Sequence, residues 1–213
     1  MDIKIEKVIK ALKANNMNVI YADTKAEIPQ IVKGLLNKGE TISCGGSVTL
    51  AECGVMELMR SGDYSFLDRG KSGLTREEIE QIYRETFSAD TYITSANAVT
   101  ENGELVNVDG NANRVAAITF GPKRVICIVG ANKIVSDVNE GFLRVKKVAA
   151  PKNAVRLGAD TPCKTLGHCI YPDGDIATGC KSASRLCVHY TVSAFQRVKD
   201  RFTVIICPES LGY

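Results

Sequence analysis

The sequence predicts an α/β fold in which a central, mostly parallel sheet is flanked by helices. Three observations carry this reading. Short β-rich runs alternate with helical patterns of roughly 10 to 15 residues, as parallel βαβ units require. KRVICIV, Lys123 to Val129, is a continuous apolar run that reads as a strand buried on both faces and ends at Gly130. A chain of 213 residues, 45% hydrophobic and 24% charged, has the composition of a globular domain. One domain over residues 1–213 is expected.

The elements follow in order. Ile5, Val8, Ile9 and Leu12 recur at helical spacing, and the extended Asn18 to Tyr21 comes after them. Ile28, Ile31, Val32, Leu35 and Leu36 mark a second helix, and Thr41 to Ser43 a short buried strand. Leu50 to Met59 and Arg76 to Phe87 are again helical, the latter opened by Thr75 with Glu78 three residues on, a capping box. SGDYSFLDRGKSG between them is a loop with a short strand. Thr91 to Thr94 is β-rich, and AVTENGELVNV places Asn102-Gly103 between two extended halves, as a tight hairpin does. NANRVAAITF is a short helix, VNEGFLRVKKVAA another, and FTVIIC a last strand of the same sheet. The region from about Asp160 to Cys187 is irregular and rich in cysteine, so something other than secondary structure must order it.

Charge and hydropathy exclude several function classes. The 27 basic and 24 acidic residues, net +3, are spread without a block of one sign, which argues against nucleic acid as a partner. Lys4, Glu6, Lys7, Lys10 and Lys13 interrupt the first segment, unlike a signal peptide, and no run approaches the roughly 20 apolar residues of a membrane span. A cytoplasmic protein with reduced thiols is expected.

The glycine loop Cys44-Gly45-Gly46-Ser47-Val48-Thr49 lies between a strand and a helix, where open α/β sheets bind ligands. Two glycines admit close backbone approach, Ser47 and Thr49 offer hydroxyls, and a helix N-terminus favours an anion such as phosphate or carboxylate. Two other readings stand beside that one: a plain capped turn, and a Cys44 thiolate favoured by the helix. Neither G-x-G-x-x-G nor G-x-x-x-x-G-K-[ST] is present, so neither NAD nor ATP is indicated.

TPCKTLGHCIYPDGDIATGCKSASRLCVH gathers Cys163, Cys169, Cys180 and Cys187 with both histidines, His168 and His189. The spacing C-x5-C-x10-C-x6-C matches neither a zinc ribbon nor a ferredoxin run. The four cysteines with His168 are a candidate zinc or iron-sulfur site; structural thiols and a redox-active pair are the alternatives.

GGSVTLAECGVMELM, SANAVTENGELVNVDGNANRVAAITFGPKRVICIVGANKIV, APKNAVRLG and TPC together resemble the lactate-utilisation (LUD) domain family over nearly the whole chain. The resemblance implies the fold shared by sugar-phosphate isomerases, glucosamine-phosphate deaminases and CoA transferases, with a cleft at the strand ends. It also implies a subunit or accessory of an oxidoreductase system for lactate or a related 2-hydroxy acid, with iron-sulfur chemistry in partner subunits. The corresponding ligand-binding positions are Gly45, Gly46, Ser47, Thr49, Asn97, Asn111, Arg114 and Lys133. Ala98, Thr100 and Gly103 around the hairpin, and Gly130 after the strong strand, match the same motifs. Arg114 is expected to grip a carboxylate bidentately, with Lys133 as a second cation. Expected partners are a small anionic metabolite, iron-sulfur subunits and a second copy of the chain. A stand-alone transferase, isomerase or hydrolase on an acyl or phosphorylated metabolite, and a non-catalytic ligand sensor, are the competing classes. Glu101-Asn102-Gly103 also resembles the glutamate turn of some CoA transferases, although a hairpin explains it equally.

Overall fold

The computed structural model describes residues 2–213. Along the chain lie α1 (Ile3–Ala14), β1 (Asn18–Tyr21), α2 (Ile28–Leu35), β2 (Thr41–Cys44), α3 (Val48–Glu52), α4 (Val55–Met59), β3 (Ser65–Leu67) and α5 (Arg76–Glu85). They are followed by β4 (Thr91–Thr94), β5 (Ala98–Thr100), β6 (Leu105–Asp109), α6 (Asn113–Thr119), β7 (Arg124–Gly130) and β8 (Ile134–Val135). The last elements are α7 (Val138–Arg144), α8 (Ala150–Leu157), α9 (Pro162–Leu166), β9 (His189–Ser193) and β10 (Phe202–Cys207).

Six strands form one parallel sheet in the order β1-β10-β7-β4-β2-β3. A second sheet, β8-β5-β6-β9, is mixed: β5 pairs antiparallel with β6 and parallel with β8, and β6 pairs antiparallel with β9. Period-2 alternation along β7 and β10 divides the core. Val125, Cys127 and Val129 with Phe202, Val204 and Ile206 pack against Ile5, Val8 and Leu12 of α1 and Ile118 of α6. Ile126, Ile128 and Ile205 face the other way, onto Ile28 and Val32 of α2, Leu50 of α3, and Val55 and Met59 of α4. Both faces of the sheet are covered, which is why its central strands β7 and β10 read as nearly continuous apolar runs.

Local chemistry sets the element ends. Asp2 caps α1 by accepting from the Lys4 N–H at 2.7 Å. Thr75 and Glu78 close the capping box of α5 in both directions. The expected helix Leu50 to Met59 is two helices, α3 and α4, because Gly54 takes φ 73° between them and breaks the hydrogen-bond ladder. The helix expected over VNEGFLRVKKVAA runs further, through a π-helical turn at Val145–Ala149 into α8. The Asn102-Gly103 hairpin forms: the Gly103 N–H donates to the Thr100 carbonyl at 3.0 Å, with φ 82° at Gly103.

Gly103 has a second reason to be glycine. A Cβ there would stand 2.6 Å from the backbone of Ala11 and Leu12, so the hairpin seats directly on α1. Gly103→Ala is therefore expected to destabilise the fold by more than the ~1–2 kcal/mol of left-handed strain alone, measured as a lower midpoint in urea unfolding.

Candidate functional site

The carboxyl ends of β2, β3, β4, β7 and β10 open onto one cavity of about 500 Å³. Its walls come from the glycine loop after β2, Arg69 after β3, Ser95 to Asn97 after β4, Lys133 after β7, Arg156 on α8 and Tyr213 beyond β10. Five basic side chains line it, Arg69, Arg114, Lys133, Arg156 and Arg185, against one carboxylate, Asp109. A concave site of one sign concentrates its field, and here the field favours anions.

The glycine loop is shaped by close approach. A Cβ on Gly45 would lie 2.9 Å from the Tyr92 hydroxyl and 3.1 Å from Arg114 Cδ; one on Gly46 would lie 2.8 Å from an Arg69 guanidinium nitrogen. Ser47 caps α3, its Oγ accepting the Leu50 N–H at 3.3 Å. The helix-dipole reasoning does not carry over, because α3 is only five residues long. Cys44 is no activated thiol: burial pushes it up to about 12, overriding the nearby Arg69.

Arg114 departs from its expected role. Its Nε donates to Asp109 Oδ1 at 2.9 Å, one terminal nitrogen to Asn107 Oδ1 at 2.6 Å and the Ser95 carbonyl at 3.1 Å. The other donates to Asn97 Oδ1 at 2.9 Å and the Val108 carbonyl at 3.0 Å. All five guanidinium N–H groups are thereby engaged by protein. Arg114 is a clip between the end of β4 and the strand β6, and Asn97, expected in the ligand set, serves that clip: its Oδ1 also accepts the Val108 N–H at 2.9 Å. Asn111 is exposed on the cavity rim. Beside it, Ala112 holds φ 61°, a left-handed conformation at the start of α6 that a non-glycine residue rarely adopts.

Lys133 is the buried cation of the site, with 2% of its surface exposed. Its Nζ donates to Thr49 Oγ1 at 2.8 Å and Ser95 Oγ at 2.9 Å, and no carboxylate pairs with it among the described residues. Thr49 in turn donates to the Leu211 carbonyl at 3.3 Å, which ties the segment after β10 to the glycine loop. Desolvation brings the Lys133 amine down to about 7, Arg144 and Arg114 assist, and Cys127 and Glu52 oppose.

Three guanidinium groups that sequence reasoning missed, Arg69, Arg156 and Arg185, complete the basic wall. Arg69 donates to the Tyr83 hydroxyl at 2.6 Å and lies 5.2 Å from that ring's centre. Arg156 donates to Asn153 Oδ1 at 2.8 Å and to the Tyr213 hydroxyl at 2.9 Å. Arg69 and Arg156 both donate to neutral partners, and neither forms an ion pair with a carboxylate among the described residues. The available signals were Arg69's position just after a short strand in the SFLDRG loop and Arg156's place in APKNAVRLG, one of the segments that carry the family resemblance.

The expected metal centre is not assembled among the described residues. Cys163, Cys169, Cys180 and Cys187 line one small cavity of about 20 Å³ with Ala150, Pro151 and Pro162. Among the described residues, however, no group of three or more His, Cys, Asp or Glu side chains is arranged to hold a metal ion. His168 and His189 are exposed, and His168 Nδ1 lies 3.0 Å from the Cys169 carbonyl oxygen. The irregular segment is instead ordered by cations that cap its carbonyls. Lys146 donates to Gly174 at 3.1 Å and Asp175 at 2.6 Å, and Arg185 donates to Ala177 at 2.9 Å and Cys187 at 2.8 Å. Cys169 and Cys187 are buried free thiols, and Cys163 and Cys180 are half-buried. Glu101 is likewise no nucleophile of this site, since it lies outside the cavity and pairs with Lys7 at 2.7 Å.

A family model described as the LUD domain matches residues 5–207. The chain belongs to the LUD domain family. No curated protein matches the sequence. Among solved structures, this LUD domain is similar to a DUF162 family protein from Deinococcus radiodurans. The TM-score is 0.53 and the identity 17%, with 96% of each chain covered, which shows a shared fold. It also matches ribose 5-phosphate isomerase A from Methanocaldococcus jannaschii at TM-score 0.39 and 15% identity, over 83% of this chain and 80% of that one. The match to eIF2B beta from Chaetomium thermophilum has TM-score 0.38 and 15% identity, over 64% of this chain and 48% of that one. No helix among the described residues of this LUD domain is long and apolar enough to cross a membrane.

Two outcomes follow from the geometry. Arg114→Ala should destabilise the domain by about 3–5 kcal/mol in chemical denaturation, because Asp109 is left buried without its partner, and Arg114→Lys should not restore it. Lys133→Met should stabilise the domain below pH 7 by on the order of 2–4 kcal/mol. Lys133's folded value lies below its unfolded one, so the unfolded wild-type chain binds more protons between pH 7 and about 10.5. Wild-type stability therefore rises across that window, and the variant's advantage should shrink with it in denaturation curves taken from pH 6 to 10.

Proposed function

We propose that this LUD domain is a lactate-utilisation-type protein that binds a small carboxylate anion in the basic cavity. On this reading it acts as a subunit or accessory of an oxidoreductase system for a 2-hydroxy acid such as lactate. The observation that carries the reading is the charge of the cavity: Arg69, Arg156 and Lys133 converge on it without a carboxylate partner. Asp109, the sole acid there, is consumed by Arg114. Membership of the LUD family supports the 2-hydroxy-acid setting. Within it, Gly46 lets a ligand oxygen approach between Arg69 and Arg156, since a Cβ there would stand 2.8 Å from one guanidinium and 3.5 Å from the other. Ser47 and Thr49 line the same cavity, with Gly45 packed behind them against Tyr92 and Arg114. The electron carrier belongs to partner subunits in this account, and the expected iron-sulfur partners remain part of it.

Lactate, pyruvate and oxalate should each raise the melting temperature, and the Kd for oxalate, read by calorimetry, should weaken roughly tenfold or more in Arg69→Ala or Arg156→Ala when one charge-assisted contact is removed. Lactate-dependent dye reduction should appear only when the chain is mixed with its iron-sulfur partner. Unchanged affinity in both variants, or turnover by the isolated chain, contradicts the assignment.

A further inference from the structure

We propose that Lys133 is an amine nucleophile that captures the carbonyl carbon of a small 2-oxo acid as a reversible imine in the basic cavity. The proposal rests on the cavity being a carboxylate site, and goes beyond it by giving the chain a covalent step of its own.

Four features of the structure support it. Lys133 follows the central strand β7 on a single 3₁₀ turn, Ala131–Lys133, so its backbone is fixed by the most buried part of the sheet. Its side chain reaches the cavity wall while remaining 2% exposed, and two hydroxyls, Thr49 Oγ1 and Ser95 Oγ, hold the amine at 2.8 and 2.9 Å. The charged groups that face it are Arg144 and Arg114 from α7 and α6, like in sign, against the single Glu52 carboxylate of α3, while burial keeps the neighbouring Cys127 thiol of β7 protonated. Glu52 is occupied with the Gly212 N–H at 2.6 Å, so no acid forms an ion pair with the amine. A lysine placed to stabilise the fold would be paired; this one is kept unpaired and dry at a ligand cavity, the setting in which lysines act as nucleophiles toward carbonyls. Burial to a value of about 7 leaves a large share of the amine neutral at physiological pH.

The division of labour in the cavity points to a 2-oxo acid rather than a simple aldehyde. Arg69 and Arg156 supply bidentate donors suited to a carboxylate, and Lys133 offers a lone pair for the adjacent carbonyl. In the step itself the Nζ lone pair forms the C–N bond as the C=O π bond opens, and one N–H proton passes to the new alkoxide through the Thr49 or Ser95 hydroxyl. The resulting carbinolamine loses its hydroxyl group as water with the second N–H proton, leaving the C=N bond. One water is released, nothing is oxidised or reduced, and the reverse reaction frees the oxo acid.

Borohydride trapping tests this directly. The protein is incubated with pyruvate, reduced, and examined by intact mass and peptide mapping, with oxalate binding measured in parallel. One adduct per chain is expected, with the mass of pyruvic acid less one oxygen, located on Lys133, suppressed by excess oxalate and half-maximal near pH 7. The same treatment of Lys133→Arg should give no adduct, and the wild-type peptide map decides the site even if that variant misfolds. Intact oxalate binding with no adduct, or an adduct spread over surface lysines, overturns the imine while leaving the anion site standing. Absence of oxalate binding overturns the anion site on which the proposal depends.

Discussion

The guanidinium of Arg114 is the interaction on which the rest of the site depends. The parallel sheet and the mixed sheet are separate hydrogen-bonded units, and the cavity lies where they meet. Arg114 spans that junction by donating to the Ser95 carbonyl after β4 and to Asn107, Val108 and Asp109 on β6. Asn97, between the two sheets, is fixed by the same group and by Val108. The clip explains features that look independent in the sequence. Gly45 is glycine because the Arg114 stem passes where a Cβ would sit. Ser95, whose carbonyl the clip holds, is thereby placed to receive Lys133 through its hydroxyl.

Once the clip has neutralised Asp109, the cavity has positive charge and no internal counterion. That arrangement costs stability, because a buried ammonium without an acid partner gives up hydration for two neutral hydroxyls. Proteins keep such groups where function uses them. Gly130 belongs to the same arrangement: a Cβ there would lie 2.6 Å from the backbone of Glu209 and Leu211, so the segment after β10 closes tightly over the end of β7. Leu211, fully buried, then presents its carbonyl to Thr49, and Tyr213 reaches Arg156. The cavity wall is thus assembled from five strand ends by close backbone contacts rather than by one contiguous motif.

Much of the fold was legible because it follows period and punctuation. KRVICIV and FTVIIC are unbroken apolar runs since both faces of their sheet are covered, and Thr75 with Glu78 announced the start of α5. The split between α3 and α4 was not legible, since a glycine inside a helical pattern is tolerated in many helices and only the backbone shows that Gly54 is left-handed. Ala112 was invisible for the converse reason, being a residue with no preference for the conformation it holds. At the site, the sequence pointed to the strand ends, where the cavity lies, and assigned Lys133 and Arg114 alike to the ligand, whereas Arg114's donors are taken up by protein. Arg114's acceptors are spread from Ser95 to Asp109, and only the packing of the two sheets makes them one cage. Arg69 and Arg156 went unnoticed because their partners, Tyr83, Asn153 and Tyr213, are ordinary residues that become a wall only in three dimensions. The clustering of four cysteines with both histidines suggested metal, whereas the carbonyl-capping Lys146 and Arg185 that order that segment carry no signature in the sequence.

The central claim is that Lys133 is a buried amine with no acid partner at the head of an anion-binding cavity. Its titration in the ligand-free domain, followed by NMR of the side-chain Cε–Hε signals and assigned by comparison with Lys133→Arg, tests that claim most directly. The account predicts a midpoint near pH 7. A midpoint near 10.4, the ordinary lysine value, would contradict it, since the amine would then be solvated or paired with an acid rather than held dry between two neutral hydroxyls.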